Sequence, residues 1–242
     1  MDITYIIDKL PLLLTGLKLT FGISIVCITL SLIIGLIGGV IRGLHIPVLS
    51  QITNAIVEFI RNTPLLVHLF FIYFGLPNLG VTVSPVLTGC IALSLWGGVY
   101  ATENFRGGIE AVPNSLIEAA SSLGLSKWHT IRYVIVPIGF RISFPSFSNT
   151  AISVLKNTSF LTGIGVAELT FVAMDRIAVD FKTFEMFTSI AILYLILVWI
   201  TTMTFGYIEK KLDYHNSSKR KGGLIQIGHS IRKFTTSLKR VS

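Results

Sequence analysis

Apolar residues run in long blocks along this chain, and the charged positions gather between the blocks. Five blocks are long enough to cross a bilayer, which takes about 20 residues of helix. They lie at about 20–41, 52–76, 85–106, 142–164 and 187–208. No Asp, Glu, Lys or Arg falls between Arg61 and Glu103, room for two crossings separated by the uncharged turn 77–84. The fourth block is the least apolar, with Pro145, Asn149 and Lys156 inside it. The first is too long for the core of a signal peptide and is followed by no small-residue cleavage site, so it is expected to stay. Residues 1–19 read as an extracellular or periplasmic amphipathic lead-in, 20–208 as the transmembrane domain, and 209–242 as a cytoplasmic tail. The fold class is all-α membrane protein with five transmembrane helices.

Composition agrees: 52% of the 242 residues are hydrophobic and 13% charged, about half the charge of a soluble domain. The net charge of +8 raises nucleic-acid binding until it is located. Through Glu209 eleven basic and eleven acidic residues cancel, so the excess belongs to the tail. A basic stretch after an apolar span is a cytoplasmic flank near anionic lipid. The basic residues of the connecting segments favour the N-terminus outside and the C-terminus inside. In the tail Arg232, Lys233, Lys239 and Arg240 interleave with Ile227, Ile231, Phe234 and Leu238, which suits either a surface-lying amphipathic helix or disorder. Cys27 and Cys90 lie in apolar blocks as small hydrophobes. The histidines lack metal-ligand spacing, and His68 reads as packed or pore-lining. No metal and no catalytic residue is expected.

The segment 107–141 is too long for a simple connector. Ser115-x-x-Glu118 predicts a capping box, Pro113 and Gly124 bracket the helix it opens, and Ser126 predicts a second helix through Tyr133, ended by Pro137. A protruding helix pair suits a groove on a cytoplasmic partner.

Glu118-Ala119-Ala120, then Gly124, then Val134-x-Val136-Pro137, resembles the EAA motif of ABC importer permeases of type I. The wider text resembles the polar amino-acid permeases typified by the histidine and glutamine systems. Glu58 to Leu66, Glu103-x-x-Arg106-Gly107-Gly108-Ile109, Leu155 to Ser159, and Ile164-Gly165-Val166-x-Glu168-Leu169-Thr170 are similar to that family's signatures, in its order. Val134 and Val136 replace its usual Ile and Leu. The resemblance implies that Glu118, Ala119, Ala120, Gly124 and Pro137 belong to a coupling loop that docks on a separate ATPase dimer, where ATP and Mg would reside. It also implies a second permease chain, identical or related, and an extracytoplasmic substrate-binding protein, in a bacterial inner membrane. No phosphate loop of the G-x-x-x-x-G-K-[ST] kind is present here. Glu118 also has a plain role as a cap of its own helix, and the two are compatible.

Ionisable and amide groups within spans are functional candidates because lipid makes them costly. Arg61, Asn62, Thr63, Lys156, Asn157, Thr158, Ser159 and Glu168 form the candidate substrate pathway, with Pro64 breaking a helix beside them. Arg61 or Lys156 would meet a substrate carboxylate, and Glu168 or Asn157 its ammonium. Pairing of Glu58 with Arg61 and of Glu103 with Arg106 on one helix face, or snorkelling of Lys156, explains the same residues without a substrate. Many relatives carry Asp where Asn157 stands, which tilts the substrate from cationic amino acids towards glutamine or glutamate. The alternative is an ion-coupled secondary transporter, which would place acids deep in its spans and repeat its fold internally; neither sign is evident. A membrane-embedded enzyme would need a nucleophile with a base or a metal cluster.

Overall fold

The computed structural model describes residues 2–238, with side chains through residue 212. Residues 1–203 form one unit and 204–242 a second. Every regular element among the described residues is helical.

Helix α1, Ile3–Gly43, is one unbroken helix of 41 residues, about 60 Å long at 1.5 Å per residue. The helix thus runs from the lead-in into the first span without a break. Asp2 caps the helix by accepting from the Tyr5 amide, and that bond holds the Asp2 carboxyl below its ordinary range. Pro11 lies inside α1, yet packing of Tyr5, Leu13 and Leu17 against Leu169, Ala173, Met186 and Ile190 carries the helix past it. Tertiary burial here overrides a local breaker.

The second block is not a straight span. Helix α2, Leu49–Arg61, ends at Asn62, and Pro64 is extended. Helix α3, Leu65–Phe70, then continues through a π turn, Phe71–Gly75, and a 3-10 turn, Leu76–Leu79. The two halves meet at 98°. Pro64 supplies no amide and biases Thr63 away from the helical region, so the helix breaks at this point. Helix α4, Pro85–Glu110, starts at a Ser84 cap and runs past its expected end at 106, because Arg106 pairs with both Glu103 and Glu110 along one face.

Helix α4 is central. Gly35, Gly38 and Gly39 of α1 press against Ala101, Thr102 and Phe105 of α4, leaving no room for a Cβ. Small residues at such crossings let backbones approach where lipid gives helices no hydrophobic reason to associate. Ser31 Oγ donates to the Ser94 carbonyl across the same seam. On another side α4 meets α7, Val136–Asn157, with Gly108 against Ser143, Phe105 against Phe147, and Asn104 Nδ2 donating to Thr150 Oγ1 at 2.8 Å.

Helix α5, Asn114–Ser122, lies between Pro113 and Gly124, and the short α6, Lys127–Thr130, opens at Ser126. The capping box does not form: Pro113 occupies the cap position and Ser115 lies within the first turn. Nor does Pro137 end the second helix. A π turn, Ile131–Ile135, widens the ladder and feeds α7, Val136–Asn157, with Pro137 in its first turn where a missing amide costs nothing. The fourth block therefore begins at Val136 rather than 142, and its last residues are a 3-10 turn, Thr158–Ile164.

Helix α8, Leu169–Asp180, lies in what reads from sequence as a plain outer connection. Glu168 is its cap, a residue type outside the preferred Ser, Thr, Asp and Asn. Helix α9, Thr183–Leu238, opens before the expected 187. Its backbone is helical through the tail, but the tail side chains that would define an amphipathic face lie outside the described residues. By length and composition α1, α4 and the first part of α9, Thr183–Leu212, are apolar enough to span, and the bent α2–α3 pair makes a fourth. Helix α7, 22 residues long, takes the fifth place with a polar face.

Candidate functional site

Three regions gather the candidate residues. The first is the loop from α4 to α7. Gly124 adopts φ +77° and closes α5: its amide bonds to the Ser121 carbonyl at 2.9 Å and that of Leu125 to Ala120 at 3.1 Å. This pair is the glycine-terminated helix stop expected from sequence. Ser126 then caps α6 by accepting from the His129 amide. Ile117, Ile131 and Ile135 anchor the corner on Ile109 and Val112 at the end of α4. Ala120 is buried in that root, while Ala119 and Glu118 face outward. The Glu118 carboxylate makes no hydrogen bond among the described residues and caps nothing. Leu123 is 82% exposed, Trp128 65% and Tyr133 63%, giving the corner an apolar outer surface beside the Glu118 charge. Sequence reading missed Leu123, Trp128 and Tyr133, although each is a large apolar residue in a polar loop.

The second region is the face of α7. Ser143, Phe144, Phe147, Ser148, Ala151, Val154 and Leu155 point into the bundle. Ser146, Asn149 and Lys156 are exposed and Ser153 is half-exposed between them, spaced 3, 4 and 3 residues apart. That spacing forms one stripe. An exposed polar stripe on a bilayer-length helix is unfit to face lipid. Asn157 is half-buried at its end with no hydrogen bond among the described residues. Thr158 and Ser159 instead return their hydroxyls to the Leu155 and Lys156 carbonyls, at 2.7 and 2.9 Å, and Thr158 is fully buried.

The third region is the charged end of α1, α2 and α4. Glu103 pairs with Arg42 of α1 and with Arg106 at 2.9 Å, and Arg61 approaches at 3.9 Å. Arg61 also lies over the Tyr100 ring, 5.4 Å from its centroid. Of the two pairings expected on one helix face, Glu103 with Arg106 forms. Glu58 takes Asn54 as its partner instead, at 2.9 Å. Asn62 is exposed at the bend, and Thr63 Oγ1 donates to the Phe59 carbonyl at 2.9 Å.

Glu168 stands apart from all three. It is 0% exposed. Its Oε1 meets Thr162 Oγ1 at 2.6 Å and the Phe171 amide at 2.8 Å, and its Oε2 meets the Tyr194 hydroxyl at 2.9 Å and Thr20 Oγ1 at 3.4 Å. The carboxyl group thus ties α1, the 3-10 turn, α8 and α9 together. His68 walls an apolar chamber of about 170 Å3 with Phe59, Phe71 and Trp96, its Nε2 buried. Among the described residues no cluster of His, Cys, Asp or Glu could hold a metal.

A helical bundle with a bent second span, one polar face on a membrane-length helix and a protruding helix pair defines a multi-pass membrane transport subunit. The chain belongs to the family described as binding-protein-dependent transport system inner membrane component, which residues 31–214 match. It is 33% identical over 213 residues to the glutamine transport system permease protein GlnP of Escherichia coli K12, covering 87% of this chain and 97% of that one. It is 34% identical over 204 residues to the L-cystine transport system permease protein TcyB of Bacillus subtilis 168, covering 84% and 87%. A crystal structure of an amino acid ABC transporter with histidines superposes with a TM-score of 0.81 at 30% identity, over 87% of this chain and 99% of the other. The inward-facing MetNI methionine ABC transporter shares the fold, with a TM-score of 0.72 at 20% identity over 85% and 98%.

Proposed function

We propose that this chain forms half of the translocation pathway of an ATP-driven importer of polar amino acids, with glutamine or glutamate as its cargo. The observation that carries the reading is the α5–α6 corner: a glycine-stopped helix rooted in the end of α4, presenting Leu123, Trp128, Tyr133 and an unpartnered Glu118. A rigid corner that presents apolar side chains beside the Glu118 carboxylate and the exposed cations Lys127 and Arg132 suits a groove on a partner subunit. The partner would be the ATPase dimer, with ATP and Mg bound there, and ATPase closure would be transmitted through α4 and α7.

The polar stripe of α7 supports a water-lined pathway shared with a second permease chain, the same or a related one. Lys156 at its end suits a substrate carboxylate, and Asn157 offers a neutral amide near it. Glutamine is favoured by the amide at 157 and by the relatives that carry glutamine's name. Glu168 supports the frame around the pathway, since its oxygens already meet four donor-bearing groups. An extracytoplasmic binding protein would deliver the amino acid to the end bearing α8. The basic residues of the tail and of the α4–α7 loop support N-terminus outside and C-terminus inside.

The test is purification of the tagged chain from native membranes in mild detergent, followed by ATPase assay and mass spectrometry. Wild type is expected to bring down a nucleotide-hydrolysing partner and a soluble binding protein, while Glu118→Lys and Leu123→Asp retain the fold and lose the ATPase. Recovery of the same ATPase with both variants would refute the docking role of the corner. Glutamine-stimulated hydrolysis in the wild-type complex would establish the cargo, and stimulation by cationic amino acids alone would overturn it.

A further inference from the structure

The corner between α8 and α9 carries a residue that its own fold does not explain. Phe181 closes α8 with φ +55° and ψ 20°, and its amide bonds to the Ile177 carbonyl at 3.0 Å. Glycine ordinarily fills this left-handed position, and a bulky side chain there is an outlier. Burial does not compensate, because Phe181 is 84% exposed, and Val179 and Phe184 on either side of it in the chain are exposed too.

The corner is held rigidly. Tyr5 donates its hydroxyl to Asp180 Oδ2 at 2.8 Å, the Asp2 amide donates to Glu185 Oε1 at 3.1 Å, and Lys182 Nζ lies 3.5 Å from Asp2 Oδ2. Residues 180–185 are thereby fastened to the first turns of α1, which fixes their height. From Tyr5 to Arg42 the unbroken helix rises about 55 Å at 1.5 Å per residue, or about 52 Å along the membrane normal at the usual tilt of about 20°. A bilayer with its headgroups is about 40–45 Å thick. Lys18 gives a second measure. It is exposed, with no ion pair among the described residues, and stands about 36 Å from Arg42, where hydrocarbon of about 30 Å has ended. Tyr5 is about 20 Å farther out. The α8–α9 corner therefore stands in water beyond the headgroups. It is on the side opposite the α5–α6 corner, whose root packs on Val40 and Leu44 at the other end of α1.

Exposed apolar side chains are ordinary against lipid, but gathered on a fixed corner in water they mark a protein contact. Aromatic rings are common anchors of such contacts, and an anchor already fixed in place loses little freedom on binding. Phe181 at 84% and Leu123 at 82% are the two most exposed large apolar side chains among the described residues, and they stand at the two aqueous ends of the molecule. Leu123 belongs to the coupling corner; Phe181 is its counterpart on the outer side.

We propose that Phe181 is the outer docking anchor for an extracytoplasmic substrate-binding protein, its ring entering an apolar pocket with a polar rim on that protein's surface. The proposal rests on the importer reading above, in which a binding protein meets the permease on this side of the membrane.

The probe is the extracytoplasmic protein that stimulates amino-acid-dependent ATP hydrolysis by the wild-type complex in proteoliposomes, purified by that activity. Its affinity for the complex in nanodiscs is read by biolayer interferometry. Phe181→Gly is expected to weaken binding at least about 30-fold, the loss of one hot-spot residue. Basal hydrolysis should hold, and the melting temperature should not fall, because glycine relieves the backbone. Phe181→Ala should weaken binding as much, which separates loss of the ring from added backbone freedom. Undiminished affinity in both variants would overturn the anchor and leave the importer reading intact. A wild-type complex that no extracytoplasmic protein stimulates would overturn both. Loss of one permease chain from the Phe181→Ala complex in native mass spectrometry would assign the ring to a second copy instead. Quenching of the added indole in Phe181→Trp by lipids brominated on their acyl chains would assign it to the bilayer, and either result would overturn the proposal.

Discussion

Replacing Glu168 separates a role in the frame from a role in the pathway. In Glu168→Ala the Phe171 amide loses its only side-chain acceptor at the start of α8, and Thr162 Oγ1 loses a 2.6 Å partner. A buried polar group left unpaired costs about 1–3 kcal/mol. The hole where a fully buried side chain stood adds about 24 cal/mol for each Å3 that fails to collapse. Tyr194 keeps Thr170 at 2.9 Å, so its hydroxyl adds little. The sum is about 4 kcal/mol. In Glu168→Gln the amide oxygen still serves Phe171 and Thr162, while its NH2 donates to hydroxyls of Thr20 and Tyr194 that can turn to accept, and the loss falls to about 1 kcal/mol. Fluorescence-detected size-exclusion after heating should show the alanine variant failing about 10 °C below wild type and the glutamine variant within about 3 °C. Uptake per folded molecule should stay within about twofold for Glu168→Gln, since a group that only ties helices together does not meet the cargo. An alanine variant as heat-stable as wild type would refute the tie. A glutamine variant of normal stability whose uptake falls more than about tenfold would put Glu168 on the substrate.

Gly108→Val would set a Cβ 2.5 Å from the Gly139 carbonyl oxygen. The α4–α7 seam should open, costing about 1–3 kcal/mol, visible as reduced thermal stability in detergent; an unchanged melt would refute the close packing. Gly124→Val has open space around it but φ +77°, so its cost is backbone strain of about 1–2 kcal/mol confined to the corner. It should weaken ATPase retention in pull-down while the bundle melts normally. Ser126→Ala removes the cap of α6 and should cost about 1 kcal/mol, read as faster proteolysis of the 107–141 loop than in wild type. Asn157→Asp should raise uptake of arginine relative to glutamine at least tenfold, an effect of the size expected from a new charge near the cargo; an unchanged ratio in proteoliposomes would take Asn157 out of the selectivity site.

The spans were readable where one physical rule acted alone. Blocks of apolar residues located α1, α4 and α9, and Gly124 located the end of α5, because only a left-handed residue closes a helix in that way. Boundaries went astray where two rules competed. Pro137 reads as the end of a helix and Pro11 lies inside α1, yet neither is a break. Pro11 is held in the helix by contacts with α8 and α9, which lie more than 150 residues away in the chain. Pro137 follows a π turn, and nothing in Ile131 to Ile135 signals one. Ser115 and Glu118 have the spacing of a capping box, but Pro113 takes the cap two residues earlier and leaves Ser115 inside the first turn.

The site residues divide along the same line. Lys156 and Asn157 stood out as polar residues inside an apolar block, and they lie at the end of the α7 stripe. Ser146 and Ser153 belong to that stripe equally, together with Asn149, but a serine in an apolar helix is cheap and carries no charge to draw notice. Only the burial of the opposite face, through Phe144, Phe147, Val154 and Leu155, turns three modest polar residues into a continuous surface. The reverse holds for Glu168. Its charge marked it as functional, yet two of its partners, Thr20 and Tyr194, are 148 and 26 residues distant. An ionisable residue in a membrane segment signals that something must satisfy it; whether cargo or protein does so is decided by which donors the fold brings within reach. At Glu168 the fold supplies them all, and at Asn157 it supplies none among the described residues. Of the two, Asn157 is therefore the one with hydrogen-bonding capacity left to give a substrate.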